Sequence, residues 1–554
     1  MSIQYGGRGR RRSPKPLKNW GESVALYDVI VIGGGHNGLT TAAYLARAGL
    51  SVLVLERRPF IGGAAVSEEL YPGFTYSTCS YVLSLLRPEI IRDLDLPRFG
   101  LQVIPYDYTS AGNPDGPPIF FTPDHDRTRR FIERHSHRDA DAYDEYAQAL
   151  TRQCRLIKPM LMMTPPDPTS LRPRDLRGLL KLARGMTDLG EETLCETLRF
   201  WTMSCQDFLD DWFETDALKA FIGGSAIVGT ALGIRSPGTA YVLLHHYMGD
   251  VDGQVGAWGF VKGAMGGVSK AIAGAAQSFG CQIRVDAPVS RILVRGNRVE
   301  GVVLASGEEI RARMVVSNLD VKHTFLKLFE RKELDPDLVE RVERFKIRGS
   351  SGKLNVALDG LPTFPHMAEE PRAIRGTIYV APSMDYLERA YDDAKQGRWS
   401  ARPWVEIEIP SVVDPTLAPP GKHMASVFVQ YAPSQLADGP WDDAKRAGFA
   451  ESVLSAIDTI SPDFRKLILH KQVRSPQDIE DIVGITEGNI FHGELTFDQL
   501  FFNRPLPGMA QYRTPFRGFY LCGSSTHPGG GVMAAPGANA AREILIDLKR
   551  RVAA

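Results

Sequence analysis

The sequence predicts an α/β (α+β) fold, in which a Rossmann-like nucleotide-binding domain is interleaved with a mixed substrate-binding domain. Three observations lead to this prediction. Residues 27–56 run through a strand, a glycine cluster, a helix and a second strand, and residues 281–318 alternate like a three-stranded meander. A further strand, glycine run and helix follow from residue 518. Because these segments lie far apart in the chain, we expect one domain to be assembled from three pieces.

The domain boundaries are predicted from the same segments. Residues 1–25 contain the basic, Gly- and Pro-rich stretch "GGRGRRRSPKPLKN", which predicts a disordered basic tail. The nucleotide-binding domain is predicted to comprise residues 26–100, 255–340 and 490–554. The substrate-binding domain is predicted to comprise residues 101–254 and 341–489.

The composition narrows the class of protein. With 554 residues, 43% of them hydrophobic, the chain can bury a large core. It has 65 basic and 65 acidic side chains, and this balance argues against a nucleic-acid-binding protein. The six cysteines form no CxxC pair, which suits a cytoplasmic protein and suggests neither a zinc site nor a disulfide framework. No apolar run is long enough for a membrane span, so any membrane contact is expected to be peripheral.

The first glycine cluster predicts a dinucleotide site. Gly33, Gly35 and Gly38 have the G-x-G-x-x-G spacing that allows a tight turn, close approach of the backbone to a pyrophosphate, and packing of the helix on the strand. The following helix directs its unpaired amides at a phosphate. Glu56 ends the second strand, where a carboxylate accepts the ribose hydroxyls and repels a 2′-phosphate. These residues leave FAD or NAD as the ligand.

A second glycine pair follows the acid and favours FAD. Gly62 and Gly63 offer another backbone approach beside the same pyrophosphate, an arrangement that resembles FAD-binding oxidoreductases. Amine-oxidase-type relatives commonly have an arginine after this pair, whereas alanines stand here. Arg57 or Arg58 is the candidate for the missing charge.

The C-terminal cluster is predicted to close the site. Residues 519–522 read as a strand, the glycines at 529–531 interrupt regular structure, and small residues from Val532 begin a helix. A helix start can stabilise the anion that a reduced flavin carries. His527 lies beside this helix start. Our preferred interpretation of His527 is a structural hydrogen-bonding residue, and the alternative is a catalytic residue.

Together the clusters resemble the phytoene desaturase-like branch of the FAD-dependent amine oxidase superfamily, in particular the pyridine nucleotide-disulphide oxidoreductase domain-containing proteins. The likeness spans nearly the whole chain, through blocks such as "IGGGHNGLTTAAYLARAG", "ERRPFIGGAAVSEE" and "LCGSSTHPGGGVMAAPG". The redox disulfide implied by that name has no CxxC here. The resemblance implies FAD contacts from Gly33, Gly35, Gly38, Glu56, Gly62, Gly63, Val289, Gly523 and Met533.

The resemblance also bears on the substrate. Amine oxidases usually have an acidic residue and a tryptophan-containing turn where this chain has Ser524, Ser525 and Thr526, which argues against ordinary amine oxidation. The "THPG" and glycine run is similar to that of carotenoid desaturases and isomerases, which implies a long apolar, isoprenoid or lipid-like substrate.

The substrate-binding half is predicted from its periodicity. Residues 101–108 and 119–122 read as a hairpin, and helices are expected over residues 140–163 and 191–213. The almost uncharged residues 220–234 predict core or the lining of an apolar tunnel. Two further alternating segments predict strands that complete this domain's sheet, at residues 404–410 and 424–432.

One helix of this half has the pattern of a membrane-surface segment. Within residues 170–186, "SLRPRDLRGLLKLARGM", Leu176, Leu179, Leu180 and Leu182 stand among arginines and a lysine. A solvated helix packed on the core remains the preferred interpretation, and peripheral membrane contact is the alternative.

These inferences predict an FAD-dependent oxidoreductase that takes hydride from an apolar substrate onto flavin N5. His527 and His492 are the candidates for a catalytic role, and no spacing typical of metal ligands occurs. Flavin-dependent isomerisation without net redox and a flavin-bearing scaffold that binds a partner remain as alternatives. The sequence leaves the substrate, the electron acceptor and the oligomeric state open.

Overall fold

The computed structural model describes residues 27–113 and 116–553. The predicted basic tail, residues 1–25, lies outside the described residues. In chain order the strands are β1 (Tyr27–Ile32), β2 (Val52–Leu55), β3 (Ser67–Tyr71), β4 (Phe74–Ser77), β5 (Val103–Pro105), β6 (Thr109–Ala111), β7 (Ile119–Phe121), β8 (Asp250–Val251), β9 (Gln254–Val255), β10 (Gly259–Val261), β11 (Gln282–Arg284), β12 (Val289–Arg295), β13 (Arg298–Leu304), β14 (Glu309–Ser317), β15 (Ser351–Leu358), β16 (Thr377–Val380), β17 (Trp404–Glu408), β18 (His423–Gln430), β19 (Ile468–Arg474) and β20 (Phe519–Leu521).

The α-helices lie between and after these strands. In chain order they are α1 (His36–Arg47), α2 (Pro88–Asp93), α3 (His125–Glu133), α4 (His137–Leu161), α5 (Pro173–Thr187), α6 (Glu191–Thr202), α7 (Cys205–Asp210), α8 (Asp216–Gly223), α9 (Thr239–Tyr247), α10 (Gly266–Ser278), α11 (Val321–Leu328), α12 (Pro336–Glu343), α13 (Met384–Lys395), α14 (Asp443–Asp458), α15 (Pro476–Val483) and α16 (Ala535–Ala553). Among the described residues, none of these helices combines the length and the apolar character needed to cross a bilayer.

The first sheet is a parallel layer with a meander attached. Its parallel strands have the order β11-β2-β1-β14-β20, and β12 and β13 extend it from the first half of β14. Val29 and Val31 of β1 pack under α1, α10 and α16, whereas Ile30 and Ile32 pack with the meander, α11 and α12. Helices and meander therefore bury both faces of β1, which explains its continuous apolar sequence.

This half agrees with the sequence prediction in class and in most elements. The α/β (α+β) class, the strand at residues 27–32 and the three-stranded meander are confirmed. The closing helix, α16, begins at Ala535 and not at Val532. Val532 and Ala534 have left-handed backbone, with φ of 57° and 60°, which a regular helix does not accommodate.

The second sheet is mixed and has the order β19-β15-β18-β17-β16-β6-β7. All its neighbouring strands are antiparallel except β16 and β6. One face, with Val356, Ile407 and Val427, packs in an apolar core against α14. Every residue of β15 and β17 is buried, so the opposite face is covered as well.

Two predictions for the substrate-binding half are wrong. Residues 101–108 and 119–122 do not form a hairpin, because β5 pairs with β10 and β7 pairs with the short strand β6. Residues 191–213 form two helices, because the Ser204 side chain accepts a hydrogen bond from the amide of Asp207 and caps a new helix, α7. The strands expected near residues 404–410 and 424–432 are confirmed as the neighbours β17 and β18.

Candidate functional site

The first glycine turn, between Gly33 and Gly38, brings the start of α1 into close contact with the end of β1. Gly33 has a φ of +95°, a left-handed value that favours glycine. A Cβ on Gly38 would lie 2.4 Å from the carbonyl oxygen of Gly33. Any side chain at Gly38 would therefore push α1 away from the turn. The N-terminus of α1, at His36, points its first amides into the space beside this turn.

The second glycine pair lies directly against the first turn. The amide of Gly62 donates to the carbonyl of Gly34 at 3.0 Å. A Cβ on Gly63 would lie 3.3 Å from the Cα of Gly35. The structure therefore brings these two glycine segments together and leaves backbone on both sides of one narrow space.

Glu56 lies at the end of β2 and is almost fully buried. Its carboxylate accepts hydrogen bonds from the amides of Gly34 at 2.8 Å and Arg58 at 2.9 Å. The backbone carbonyl of Glu56 accepts a hydrogen bond from Ala287 at 2.9 Å. This bond places the segment that leads into Val289, the first residue of β12, beside the acid.

The two candidate arginines lie in different places. Arg57 donates to the carbonyls of Asp481 and Ile482 at 3.1 and 2.7 Å, at the C-terminal end of α15, where a cation is favourable. Arg58 donates to the carbonyl of Gly63 at 3.3 Å and forms an ion pair with Glu68 at 2.9 Å. Arg58 is thus the arginine beside the second glycine pair, and Arg57 lies apart from it.

The C-terminal cluster completes the same region. A Cβ on Gly523, just after β20, would lie 2.5 Å from the carbonyl oxygen of Asn318 at the end of β14. Ser524 accepts a hydrogen bond from the side chain of Asn37 in α1 at 3.0 Å. A Cβ on Gly537 would lie 2.2 Å from the Asn37 carbonyl oxygen. The first turns of α1 and α16 are therefore in contact.

Met533 lies just before α16 and packs into the apolar cluster that includes residues of α4, α8 and α9. Its carbonyl accepts a hydrogen bond from the amide of Arg87 at 3.2 Å. This contact anchors the loop before α16 to the segment that leads into α2.

A cavity connects this region to the second sheet. On the side of the glycine turns it is lined by His36, Ala64, Ser524 and Val532. Its apolar lining includes Val82, Leu85, Val228, Ile485, Ile490 and Phe491. Val228 belongs to residues 220–234, the apolar stretch predicted to be core or tunnel lining. Some residues of this stretch pack in the core, and Val228 lines the cavity.

The two candidate histidines differ in position. His492 lines the cavity, and among the described residues its Nδ1 has no hydrogen-bond partner. The Nε2 of His527 is 2.8 Å from the Met160 carbonyl, outside the cavity lining. Burial lowers the pKa of each to about 4, so both imidazoles are neutral at pH 7.

His36 is a cavity residue that the sequence reasoning passed over. Its Nε2 is buried without a partner in the described part of the chain. Burial lowers its pKa to about 3, and the nearby His492 contributes to that shift. Its place inside "GGGHNG", at the first position of α1, was the available signal, because that position faces the ligand space of a glycine turn.

Sequence reasoning also missed a polar wall on the second sheet. Lys353, Glu406 and Tyr379 lie on adjacent strands in one line with Phe428, and all four line the cavity. The available signal was the pattern "WVEIEI" in β17, which places acids on alternate positions of a wholly buried strand.

Residues 120–545 match the family of flavin-containing amine oxidoreductases, and residues 31–94 match the NAD(P)-binding Rossmann-like domain. The chain belongs to the flavin-containing amine oxidoreductase family. Its cofactor is FAD, as the two glycine segments and the acid at Glu56 predicted.

Relatives in this family support the assignment over the full length. The chain is 41% identical to "pyridine nucleotide-disulfide oxidoreductase domain-containing protein 2" of Rattus norvegicus, over 94% of each chain. It is 26% identical to a limonene dehydrogenase polypeptide of Castellaniella defragrans, over 95% of each chain. It is 24% identical to a chloroplastic prolycopene isomerase 2 of an Oncidium hybrid cultivar, over 95% of this chain and 85% of the other.

A solved structure shows the same fold. An oxidoreductase from Methanosarcina mazei is 18% identical to this chain and superposes with a TM-score of 0.57, covering 94% of this chain and 99% of its own. At this identity the likeness establishes the shared fold.

The residues present fit FAD. The glycine turns leave space that a Cβ would fill, the first amides of α1 face that space, and the buried Nε2 of His36 has no partner there among the described residues. Gly33, Gly35 and Gly38 could hold the pyrophosphate, and Glu56 the ribose. The segment at Val289 could hold the adenine. Gly523 and Met533 lie where the C-terminal cluster meets the cavity, and could hold the flavin ring.

Proposed function

We propose that this protein removes hydrogen from an apolar, isoprenoid or lipid-like substrate. When bound, FAD supplies a hydride acceptor at N5. The observation that carries the proposal is the cavity, which begins at the loops of the cofactor site and has an extended apolar lining. Such a lining binds a long apolar molecule and excludes water around the C–H bond that reacts. The relative named for limonene dehydrogenase supports a hydrocarbon-like substrate.

Within this proposal, His492 is the residue that accepts the substrate proton. Formation of a C=C bond by desaturation releases one hydride and one proton from adjacent carbons. His492 lines the cavity, its Nδ1 has no hydrogen-bond partner in the described chain, and its imidazole is neutral. A neutral, unpartnered nitrogen can accept a proton, whereas the His527 ring is held by Met160.

Isomerisation without net redox is the second candidate function. The observation that favours it is the relative named prolycopene isomerase, which covers 95% of this chain. Both candidates require the same apolar cavity, and they differ only in whether the flavin remains reduced when the substrate has reacted.

The experiment is an anaerobic titration of the holoenzyme, followed by flavin absorbance and product analysis. The probes are a linear polyene hydrocarbon and a primary alkylamine of similar length. Lasting bleaching by the polyene alone supports desaturation. A changed polyene without lasting bleaching supports isomerisation, and bleaching by the amine alone would overturn both candidates.

We further infer that the protein rests on a membrane surface through α5, where an apolar substrate would be available. Leu176 and Leu180 of α5 are 46% and 51% exposed, and Leu171 just before it is 86% exposed. Arg177 and Lys181 lie on the same helix. Exposed leucines beside basic side chains suit the interface of an anionic bilayer.

A further inference from the structure

The second sheet has a polar face that is buried against the cavity. On β15, β16, β17 and β18 the apolar residues alternate with polar ones, and the apolar set packs in the core on the other side. Strand pairing aligns the polar face in two rows. The first row is Lys353, Phe428, Glu406 and Tyr379, and the second is Asn355, Ser426, Glu408 and Thr377.

Two carboxyl groups form the centre of this face. Tyr81 donates a hydrogen bond to Glu406 at 2.9 Å, and Glu408 lies two residues further along the same face of β17, close enough for the charge of Glu406 to act on it. Burial raises the pKa of Glu406 to about 7 and that of Glu408 well above its ordinary range. The pair therefore holds a proton at neutral pH, because two adjacent buried carboxylates repel each other.

Several polar atoms of this face have no partner. Within the described residues, Oε2 of Glu408, the hydroxyl of Tyr106, Oδ1 of Asn355 and the hydroxyl of Ser426 are buried and make no hydrogen bond. Glu408 is 0% exposed, and both Tyr106 and Glu406 line the cavity. Buried polar atoms without partners indicate a place for water or for a polar ligand group.

The charged side chains around Glu406 and Glu408 determine which kind of ligand group can bind at this face. The ammonium of Lys353 donates to the Cys79 carbonyl at 2.8 Å and lies 4.8 Å from the ring of Tyr81. Arg474 lies opposite Lys353 on the neighbouring strand β19, and its side chain is also buried. These cations disfavour an ammonium group on the ligand, and the two carboxyl groups disfavour an anion. A neutral hydroxyl can donate to a carboxylate oxygen and accept from the phenol of Tyr106.

We propose that the polar face of the second sheet binds a hydroxyl group of the substrate, so that the cavity binds a long apolar alcohol in preference to the matching hydrocarbon. This inference rests on the proposed function, because it takes the cavity to be the substrate site. Glu406 and Tyr106 are the residues that contact the hydroxyl. The apolar lining holds the rest of the chain and directs it to the cofactor side.

The test compares four probes that share one carbon skeleton: farnesol, farnesene, farnesylamine and farnesoic acid. Their dissociation constants are measured on the oxidised holoenzyme from the perturbation of flavin absorbance, so the readout does not need turnover. We expect farnesol to bind at least tenfold more tightly than each of the other three. Equal binding of farnesene, tighter binding of the amine or the acid, or no binding by any probe would overturn the proposal.

Two variants locate the effect. Glu406→Gln and Tyr106→Phe are each expected to reduce the preference for farnesol over farnesene to threefold or less. Tyr108→Phe is the matched control, because its hydroxyl donates to Glu370 at 2.8 Å outside the cavity lining. If Glu406→Gln does not fold, the test depends on Tyr106→Phe alone. An unchanged preference for farnesol over farnesene in Tyr106→Phe would contradict the proposed hydroxyl site. A flavin that never bleaches would contradict the proposed function and leave the measured hydroxyl preference intact.

Discussion

At the scale of single residues, the hydrogen atom that replaces a side chain at Gly38 allows α1 to approach β1. The 2.4 Å separation between a Cβ at this position and the carbonyl of Gly33 is too short for any other residue. The position therefore controls where the first amides of α1 point, and through them the phosphate site.

We expect Gly38→Val to lose most of its FAD, because the turn must open to admit the side chain. The flavin-to-protein absorbance ratio after purification should fall at least fivefold, and the melting temperature should fall with it. Gly185→Ala is the control, since nothing lies within 4 Å of a Cβ there. Full flavin content in Gly38→Val would contradict the role given to this turn.

The two candidate catalytic histidines, His492 and His527, should respond differently to substitution. His492→Ala is expected to slow flavin reduction by the substrate at least tenfold, because it removes the unpartnered nitrogen at the cavity. His527→Gln should keep the rate within about twofold and lower only the melting temperature, because a glutamine amide can still donate to Met160. A rate lost equally in both variants would argue for a purely structural role of His492.

At the scale of elements, α5 is distinguished by how little of it is buried. Among its described side chains only that of Asp175 is buried, while leucines and basic residues cover the rest. Its N-terminal turn is anchored by Arg174, which pairs with the buried carboxylate of Glu543, and by Asp175, which accepts a hydrogen bond from Gln511 at 2.9 Å. The helix is therefore held at one end and presents its apolar residues outward.

Replacing both exposed leucines, as Leu176→Asp and Leu180→Asp together, should weaken binding to vesicles of anionic phospholipid at least tenfold. The reason is lost apolar burial together with new charge repulsion from the bilayer. Co-sedimentation with vesicles measures the effect. Leu326→Asp, an exposed leucine on α11, is the matched control, and an equal loss in that variant would count against α5 as the contact.

Elements with strong local patterns were predictable from the sequence. The turn at Gly33, β1 and the meander follow from glycine spacing and alternation, which are local properties. The pairing of β5 with β10 is different, because β10 lies about 150 residues later and nothing local indicates it. The polar face of the second sheet was hidden for a similar reason, since "VEIEI" predicts a strand but not which of its faces meets a cavity.

At the scale of the whole molecule, Lys353 links the second sheet to the β3-β4 hairpin. It projects from β15, and its ammonium donates to the carbonyl of Ser77, the last residue of β4, and to the carbonyl of Cys79. Burial lowers its pKa to about 7, while burial raises that of Glu406 to about 7. Proton binding at this junction therefore affects the stability of the whole fold.

The contributions of Glu406 and Lys353 to stability change in different pH ranges. The pKa of Glu406 is raised from 4.5, so its contribution to stability is full below pH 4.5 and is lost as the pH rises through 7. The pKa of Lys353 is lowered from 10.5, so its contribution is present above pH 10.5 and is lost as the pH falls through 7. Between pH 4.5 and 7 the contribution of Glu406 therefore falls while that of His36, His492 and His527 grows, because the pKa of each histidine is lowered from 6.5.

We expect Glu406→Gln to remove the part of the pH dependence that Glu406 contributes, so that between pH 4.5 and 7 the unfolding free energy of the variant falls less, or rises more, with pH than that of wild type. A tenfold change in proton affinity corresponds to about 1.4 kcal/mol, so the part removed is at most about 3 kcal/mol. Urea denaturation of the holoenzyme across this range measures it. The control is Glu369→Gln, whose side chain is 67% exposed. A slope unchanged from wild type would show that Glu406 ionises normally.

The order of strands in the first sheet has a consequence for biosynthesis. β1 and β2 leave the ribosome early, but β14 gains its parallel neighbour β20 only after translation has passed Leu521. The cofactor loops around Gly523 and α16 come later still. A nascent chain therefore carries the glycine turns exposed for most of its synthesis, and FAD can be captured firmly only by a polypeptide that has been translated beyond this strand.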